Sequence, residues 1–218
     1  AIINIAPEAM ALSANTIFEN SAEATLIGEL SVTDQNPTDT HQYSLPTGTT
    51  DNGSFTITDA KLYASSSFNF EEKASYTVTV LVTDNHNATY QKEFMVTVTD
   101  VNEVPTIDAY AEIQVVKNLG SLSITLTGLS AGEDANQTIT ITSAKSGVIK
   151  SNSVTLSADK TTALLTFETE TDQEGTGTIQ VTVQDDGGTA NGGVDTKTID
   201  IPIKVLAPNV TVTNGSNC

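Results

Sequence analysis

The chain has 218 residues, nine Lys and no Arg against 27 acidic residues, for a formal net charge of −18. That balance argues against nucleic acid, whose binding needs clustered cations that release counterions, and against anionic membrane surfaces. Its one cysteine, Cys218, is the last residue, so an internal disulfide and a thiolate zinc cage are both excluded. Thr and Val are abundant, Trp is absent, and no stretch carries apolar residues at helical spacing over helical length, so an all-β protein is expected.

This length accommodates two domains, each with its own core. Strand-forming segments follow one another at 11–18, 25–33, 41–45, 54–58, 60–64, 75–83 and 90–99, separated by Asn, Asp, Gly and Pro clusters. Seven short strands in about a hundred residues predict a β-sandwich. In the sixth, Tyr76, Val78, Val80 and Val82 are predicted to face the core and Thr77, Thr79 and Thr83 the solvent; Phe94, Val96 and Val98 repeat the pattern in the seventh.

A second series of seven follows at 111–117, 121–127, 137–143, 146–156, 161–168, 176–184 and 197–206. "YTVTVLVTDNHN" and "GTIQVTVQDDGG" align, and each precedes a proline, Pro105 and Pro208, which marks an internal repeat. The expected domains are 1–103, with 1–8 the remnant of a preceding linker, and 104–208, with 209–218 a C-terminal linker or tail. The expected fold is two tandem seven-stranded Greek-key β-sandwiches arranged end to end.

Consecutive antiparallel strands alternate direction, so an odd number places the chain ends of each domain at opposite poles. The C-terminal pole of domain one then receives Glu19, the "FNFEEK" acids Glu71 and Glu72 with Asn69, and the linker residues Asp100, Val101, Asn102 and Glu103. The N-terminal pole of domain two receives Glu133, Asp134 and Asn136 from "GEDANQ" and Asp185 and Asp186 from "VQDDGG". Singly, each is an ordinary turn residue. Together they are oxygen ligands from separate segments converging on one joint, whose mutual repulsion a multivalent cation would relieve. Calcium fits best, since it accepts about 6–8 oxygens in tolerant geometry where magnesium demands a near-ideal octahedron. A short linker ending at Pro105 would be stiffened by such ions.

These residues resemble a cadherin repeat. "ENSAEATLIGELSVTDQNPTDTHQYSL" and "FNFEEKASYTVTVLVTD" are similar to bacterial cadherin-like repeats, and "DVNEVP" resembles the linker written DxNDNxP; the likeness covers residues 10–105. Residues from 104 on resemble, more loosely, the divergent cadherin- and immunoglobulin-like repeats of bacterial surface proteins, through "LTGLSAGEDANQTITIT" and "VQDDGGTANGGVDTKT". The resemblance implies one to three calcium ions, two or three expected, with Glu19, Glu71 and Asp100 as shared carboxylates and Asn102 as a side-chain carbonyl ligand. Asp134 and Asn136 stand at the family's DxD position, and Asp185 at the carboxylate that closes the inner site. Glu103 and Asn69 stand where the family has Asp; the charge missing at Asn69 and Asn136 implies lower affinity. Asp34, Asn36 and Asp84 form an N-terminal half-site, with "INIAP" at residues 3–7 as the tail of a preceding linker and Asn4 its one remaining ligand.

The function implied is a non-enzymatic calcium-stiffened adhesion or spacer module of a bacterial surface or secreted protein, extracellular, without direct membrane insertion. Its partners would be neighbouring repeats and a homophilic or heterophilic protein. A carbohydrate-binding accessory module is the alternative, with Tyr63, Tyr90 and Tyr110 as the available sugar platforms. His41 and His86, in segments that can approach each other, are read as solvated loop histidines, with a two-His metal site as the lesser alternative. "DDGGTANGGVDTK" reads as an exposed turn with Asp195 near the metal as the alternative, and the sequons at Asn87, Asn136, Asn209 and Asn214 as chance products of abundant Asn and Thr.

Overall fold

The computed structural model describes residues 3–134 and 136–208. The C-terminal segment, with the sequons at Asn209 and Asn214 and Cys218, lies outside the described residues. The chain divides into two compact units, 1–101 and 102–218. Among the described residues no α-helix occurs, as expected from the absence of helical periodicity.

Unit 1 contains β1 (Ala9–Leu12), β2 (Thr16–Phe18), β3 (Leu26–Thr33), β4 (His41–Ser44), β5 (Phe55–Thr58), β6 (Lys61–Ala64), β7 (Ser75–Asp84) and β8 (Thr89–Thr99). They form two four-stranded sheets, ordered β1-β3-β6-β5 and β2-β8-β7-β4. The predicted first strand, 11–18, is two strands in different sheets: β1 runs antiparallel to β3, and β2 parallel to β8. The crossing is pinned to both sheets. Ser13 N–H donates to Glu29 O at 2.9 Å, and Asn15 O accepts from Thr97 N at 2.9 Å.

Gly28 makes the crossing possible, because a Cβ there would lie 2.4 Å from Ala14 O and 2.9 Å from Ala14 N. Backbone would have to move. Gly28→Ala is expected to lower the stability of unit 1 by about 1–3 kcal/mol, measured by urea unfolding; an unchanged midpoint would contradict this account of the crossing.

Val78, Val80, Val82 and Val96 are fully buried and Val98 is 1 % exposed, packed with Met10, Ile17, Ile27, Leu30, Phe55, Leu62 and Phe68. Alternation puts every second side chain of a strand on one face, and β-branched residues fit that half-buried surface. Thr79, predicted to face solvent, is 1 % exposed. The strand β4 pairs with β7 only along residues 81–84, and Asn52 takes over where it ends. The Asn52 side chain accepts from Thr79 N at 2.8 Å and donates to Thr79 O at 2.9 Å, so an amide side chain serves as the missing ladder partner. The loop carrying Asn52 covers Thr79.

Next to it, Asp51 accepts from Lys73 Nζ at 2.5 Å and from Thr77 N at 2.8 Å. The Lys73 hydrogen bond and then the Thr77 N–H hold the Asp51 carboxyl below its usual range, outweighing the raising effect of burial. A carboxyl lowered by folding stabilises fully above its unfolded value of about 4 and ceases to do so as pH falls through the folded value. In chelator, the urea midpoint of unit 1 should therefore fall more steeply below about pH 4 in the parent chain than in Asp51→Asn. Parallel curves would remove Asp51 from the acid transition.

Unit 2 contains β9 (Ile113–Val116), β10 (Leu122–Leu126), β11 (Thr140–Gly147), β12 (Ile149–Leu156), β13 (Ala163–Thr169), β14 (Gly175–Gln184) and β15 (Thr196–Leu206). Its sheets are ordered β10-β13-β12 and β11-β14-β15-β9, with β9 parallel to β15. The core is built from Leu126, Ile149, Leu165, Phe167, Ile179, Val181, Val183, Ile201 and Ile203, each at most 1 % exposed. Pro202, which has no N–H to donate, sits one residue before the pairing with β9 begins at Ile203. Both units are β-sandwiches.

Candidate metal centres

The parallel register Phe18↔Thr99 sets the ends of β2 and β8 side by side, so Glu19 and Asp100 leave the sheet as neighbours. Glu71 arrives on the segment before β7, whose first residue, Ser75, pairs with Thr97. One carboxylate oxygen from each of Glu19, Glu71 and Asp100 lies within 4.8 Å of the other two. Glu19 is 2 % exposed. Its Oε1 accepts from Val101 N at 2.7 Å, its Oε2 from Phe70 N at 2.8 Å, and its own N–H donates to Thr99 O at 3.0 Å. Asn69 stands alongside, its Oδ1 accepting from Glu72 N at 2.7 Å. Thus a buried carboxylate is fixed by two backbone donors while two like charges approach it, an arrangement that favours a cation.

At the N-terminal end of unit 2, Asn102 organises the Gly-rich hairpin after β14. Its Nδ2 donates to Asp185 Oδ1 at 3.2 Å, Gly188 O at 3.1 Å and Val194 O at 2.9 Å, and its O accepts from Val194 N at 3.0 Å. The hairpin, exposed over most of its length as expected, is thus also fastened to Asn102. Gly187 leaves room for this amide, since a Cβ would lie 1.8 Å from Asn102 Oδ1 and the Asn102 side chain would have to turn aside. Asp195, weighed for a place near the metal, lends its backbone O to Asp185 N–H at 3.0 Å and its Oδ2 to Gln184 Nε2 at 3.2 Å.

Asn102 Oδ1, implied as a ligand, accepts from Gln137 Nε2 at 2.8 Å, which also donates to Asp134 Oδ2 at 2.6 Å. Gln137 was not singled out in the sequence, because a neutral amide beside "GEDAN" carries no metal signal. Glu103 and Asp134 each offer an oxygen within 4.8 Å of the other. Asp185 is 5 % exposed; its Oδ1 also accepts from Gly187 N at 3.0 Å, and its Oδ2 is buried without a hydrogen-bond partner, as is Gln137 Oε1. Asn136 is exposed with left-handed backbone, φ 69°. Asp186 instead caps the next strand: Thr138 N–H, then its hydroxyl, hold the Asp186 carboxyl below its usual range.

At the N-terminal pole of unit 1, oxygens of Asp34, Asp39 and Asp84 lie within 4.8 Å of one another. Asp34 Oδ1 accepts from Asn36 N at 2.8 Å and Asp84 Oδ1 from His86 N and Ala88 N at 2.8 and 2.9 Å, while Asp84 Oδ2 accepts from Asn4 Nδ2 at 3.0 Å. Asn36 Oδ1 accepts from Ile5 N at 2.8 Å and so holds the leading segment in place. The Asn36 N–H and then His41 hold Asp34 below the usual carboxylate range. For Asp84, burial is the largest influence and raises the value, but the bonds from Asn4, Ala88 and His86 together outweigh it and leave it lowered.

Of the two histidines, His86 is the solvated turn residue expected, its side chain 56 % exposed, whereas His41 lies in β4 and is partly buried. His41 has a side chain 15 % exposed with Nε2 2.9 Å from Asp34 Oδ2, and His86 Nδ1 stands 3.5 Å from Asp39 Oδ1. Asp39 was missed because a lone Asp in "NPTDTH" reads as a turn residue. As for sugar platforms, Tyr90 packs on the core of unit 1 and Tyr110 on that of unit 2, with its OH accepting from Thr127 N at 2.8 Å.

No protein-family model and no curated protein sequence matches the chain. Solved structures do. A human protocadherin-24 fragment, EC1-2, aligns with a TM-score of 0.57 at 18 % identity over 93 % of this chain and 100 % of that one. Protocadherin gamma B2 extracellular cadherin domains 1–5 align with a TM-score of 0.55 at 15 % identity over 94 % of this chain and 40 % of that one. The fold is that of tandem cadherin domains. At these identities the likeness speaks for the fold.

Proposed function

We propose that this chain is a calcium-binding tandem adhesion or spacer module of a bacterial cell-surface or secreted protein, in which calcium ions at the joint between its two sandwiches stiffen a rod. The observation that carries this reading is the convergence of Glu19, Glu71 and Asp100, with Glu19 buried and its carboxylate held by two backbone donors. All donors there are oxygens, the ligand chemistry of calcium rather than of zinc or copper. Glu19, Asn69, Glu71, Asp100 and Val101 would hold the ions from unit 1, and Asn102, Glu103, Asp134, Asn136 and Asp185 from unit 2. The buried, unpartnered Asp185 Oδ2 fits that role. What calcium supplies is charge neutralisation among carboxylates and a restraint on the linker.

The N-terminal pole of unit 1 would meet a preceding repeat in the same way, so neighbouring repeats are the nearest partners. A homophilic or heterophilic protein partner follows from the adhesive reading. Small-angle scattering of stripped and calcium-loaded protein tests the clamp: the loaded form should be longer and narrower in its spread of distances, and identical curves would count against it. Analytical ultracentrifugation with and without calcium tests self-association, and a strict monomer in both at high concentration would remove homophilic adhesion for this chain.

A further inference from the structure

In unit 1 the edge of β3 is covered by β1, paired from Ala9↔Thr33 to Leu12↔Leu30. In unit 2 the leading segment meets the chain only beyond β10, through the bridge Thr106↔Ser130 and the bond from Asp108 N to Thr127 O at 3.0 Å. It then joins the other sheet as β9, so β10 is the outer strand of its own sheet, paired with β13 alone. A residue in an antiparallel ladder turns its N–H and C=O to the same side. Tyr110 OH donates to Thr125 O at 3.2 Å, so Thr125 faces away from β13, and Ser123, two residues earlier, faces the same way. Among the described residues no backbone partner meets Ser123 on that side. Leu122 and Ile124 point to the core but stay partly exposed, whereas Met10, on the covering strand of unit 1, is 2 % exposed.

The other outer strands of unit 2 carry features that block pairing with a further strand. β12 has Lys150 and a register shift between Ile149 and Ser151, β11 has Lys145, and β9 is flanked by Glu112 and Lys117. The β10 sequence, Leu-Ser-Ile-Thr-Leu, has no charge, no proline and no shift. Its outward neighbours on β13, Leu164 and Thr166, are uncharged too. In a chain of net charge −18, where most approaches between copies are repulsive, this edge is a neutral one.

We propose that β10 pairs antiparallel with β10 of a second copy about a two-fold axis at Ser123. The strand is self-complementary in that register. Ser123 N–H and C=O of each copy meet those of the other, and Leu122 of one faces Ile124 of the other, so the two partly exposed apolar pairs cover each other. The sheets containing β10 become one continuous sheet. All the residues involved belong to unit 2 and none is a candidate metal ligand, so the pairing does not rest on the calcium reading.

The test is sedimentation of the full chain over a concentration series, in chelator and in calcium. A monomer–dimer equilibrium is expected in both. Ser123→Lys places like charges opposite each other at the axis, and Ser123→Pro removes the donor at the free edge without taking a bond from β13. Each should raise the dissociation constant about tenfold or more, with the circular dichroism of the parent. Ser153→Lys, which adds the same charge on the exposed face of β12, should leave the dimer unchanged. A strict monomer in the parent, or a dimer that both Ser123 variants leave intact, overturns the proposal. Calcium binding is read by a separate titration, so either reading can fail without the other.

Discussion

Glu19→Ala is expected to destabilise unit 1 strongly when calcium is present and weakly when it is removed. The carboxylate accepts two backbone N–H bonds, from Phe70 and Val101, in a site where it is 2 % exposed. Charge-assisted bonds of this kind contribute about 1.5–3 kcal/mol each, so the loss in the calcium-loaded protein is about 3–6 kcal/mol. In chelator a second effect opposes it. Glu71 and Asp100 oxygens lie within 4.8 Å, and each like-charge pair at that distance costs about 1–3.5 kcal/mol between bulk-water and partly screened dielectric. Removing Glu19 relieves two such pairs, about 2–7 kcal/mol together, so the net loss should shrink to near zero. Urea unfolding of parent and variant, each with calcium and with chelator, reads the difference. An equal loss in both conditions would mean that no cation neutralises the cluster.

Asp185→Asn is expected to move stability and affinity in opposite directions. Its Oδ1 is engaged by Asn102 and Gly187, and an asparagine can keep that acceptor; its Oδ2 is a buried charged oxygen without a partner. In the stripped protein, neutralising it should stabilise unit 2 by about 1–2 kcal/mol. Calcium affinity should fall about 10–100-fold, because charge count sets the affinity of such sites. Thermal unfolding in chelator and calcium titration of the same variant check both signs. A destabilised stripped variant would show that Asp185 serves the fold through bonds an amide cannot make.

Much of the fold was legible because alternation is a local property. Val78, Val80 and Val82 announce a buried face in any seven-residue window, and the fourteen predicted segments correspond to the strands of the two sandwiches. What escaped was non-local. The split of the first strand depends on Gly28 admitting the backbone of Ala14, a contact between segments that are apart in sequence. The burial of Thr79 depends on Asn52, whose amide copies a strand from 27 residues away.

The candidate centres divide in the same way. Glu19, Glu71 and Asp100 were legible because each ends or precedes a strand, and counting strands assigns them to one pole. Asp39 and Gln137 were not, since what marks each is its own buried oxygen without a hydrogen-bond partner. The histidines were named without their carboxylate partners, because nothing in "THQY" or "DNHN" says that Asp34 and Asp39 stand within reach. The fastening of the Gly-rich hairpin by Asn102 was equally hidden, as it rests on a side chain more than eighty residues upstream.

Glu19, Glu71 and Asp100 are proposed to share a calcium ion. Calorimetric titration of the stripped protein with calcium, beside Glu71→Gln, tests it most directly. Saturable binding with at least one ion lost or weakened about tenfold or more in the variant is the predicted result. No heat of binding at millimolar calcium, or a binding curve unchanged by Glu71→Gln, would contradict it.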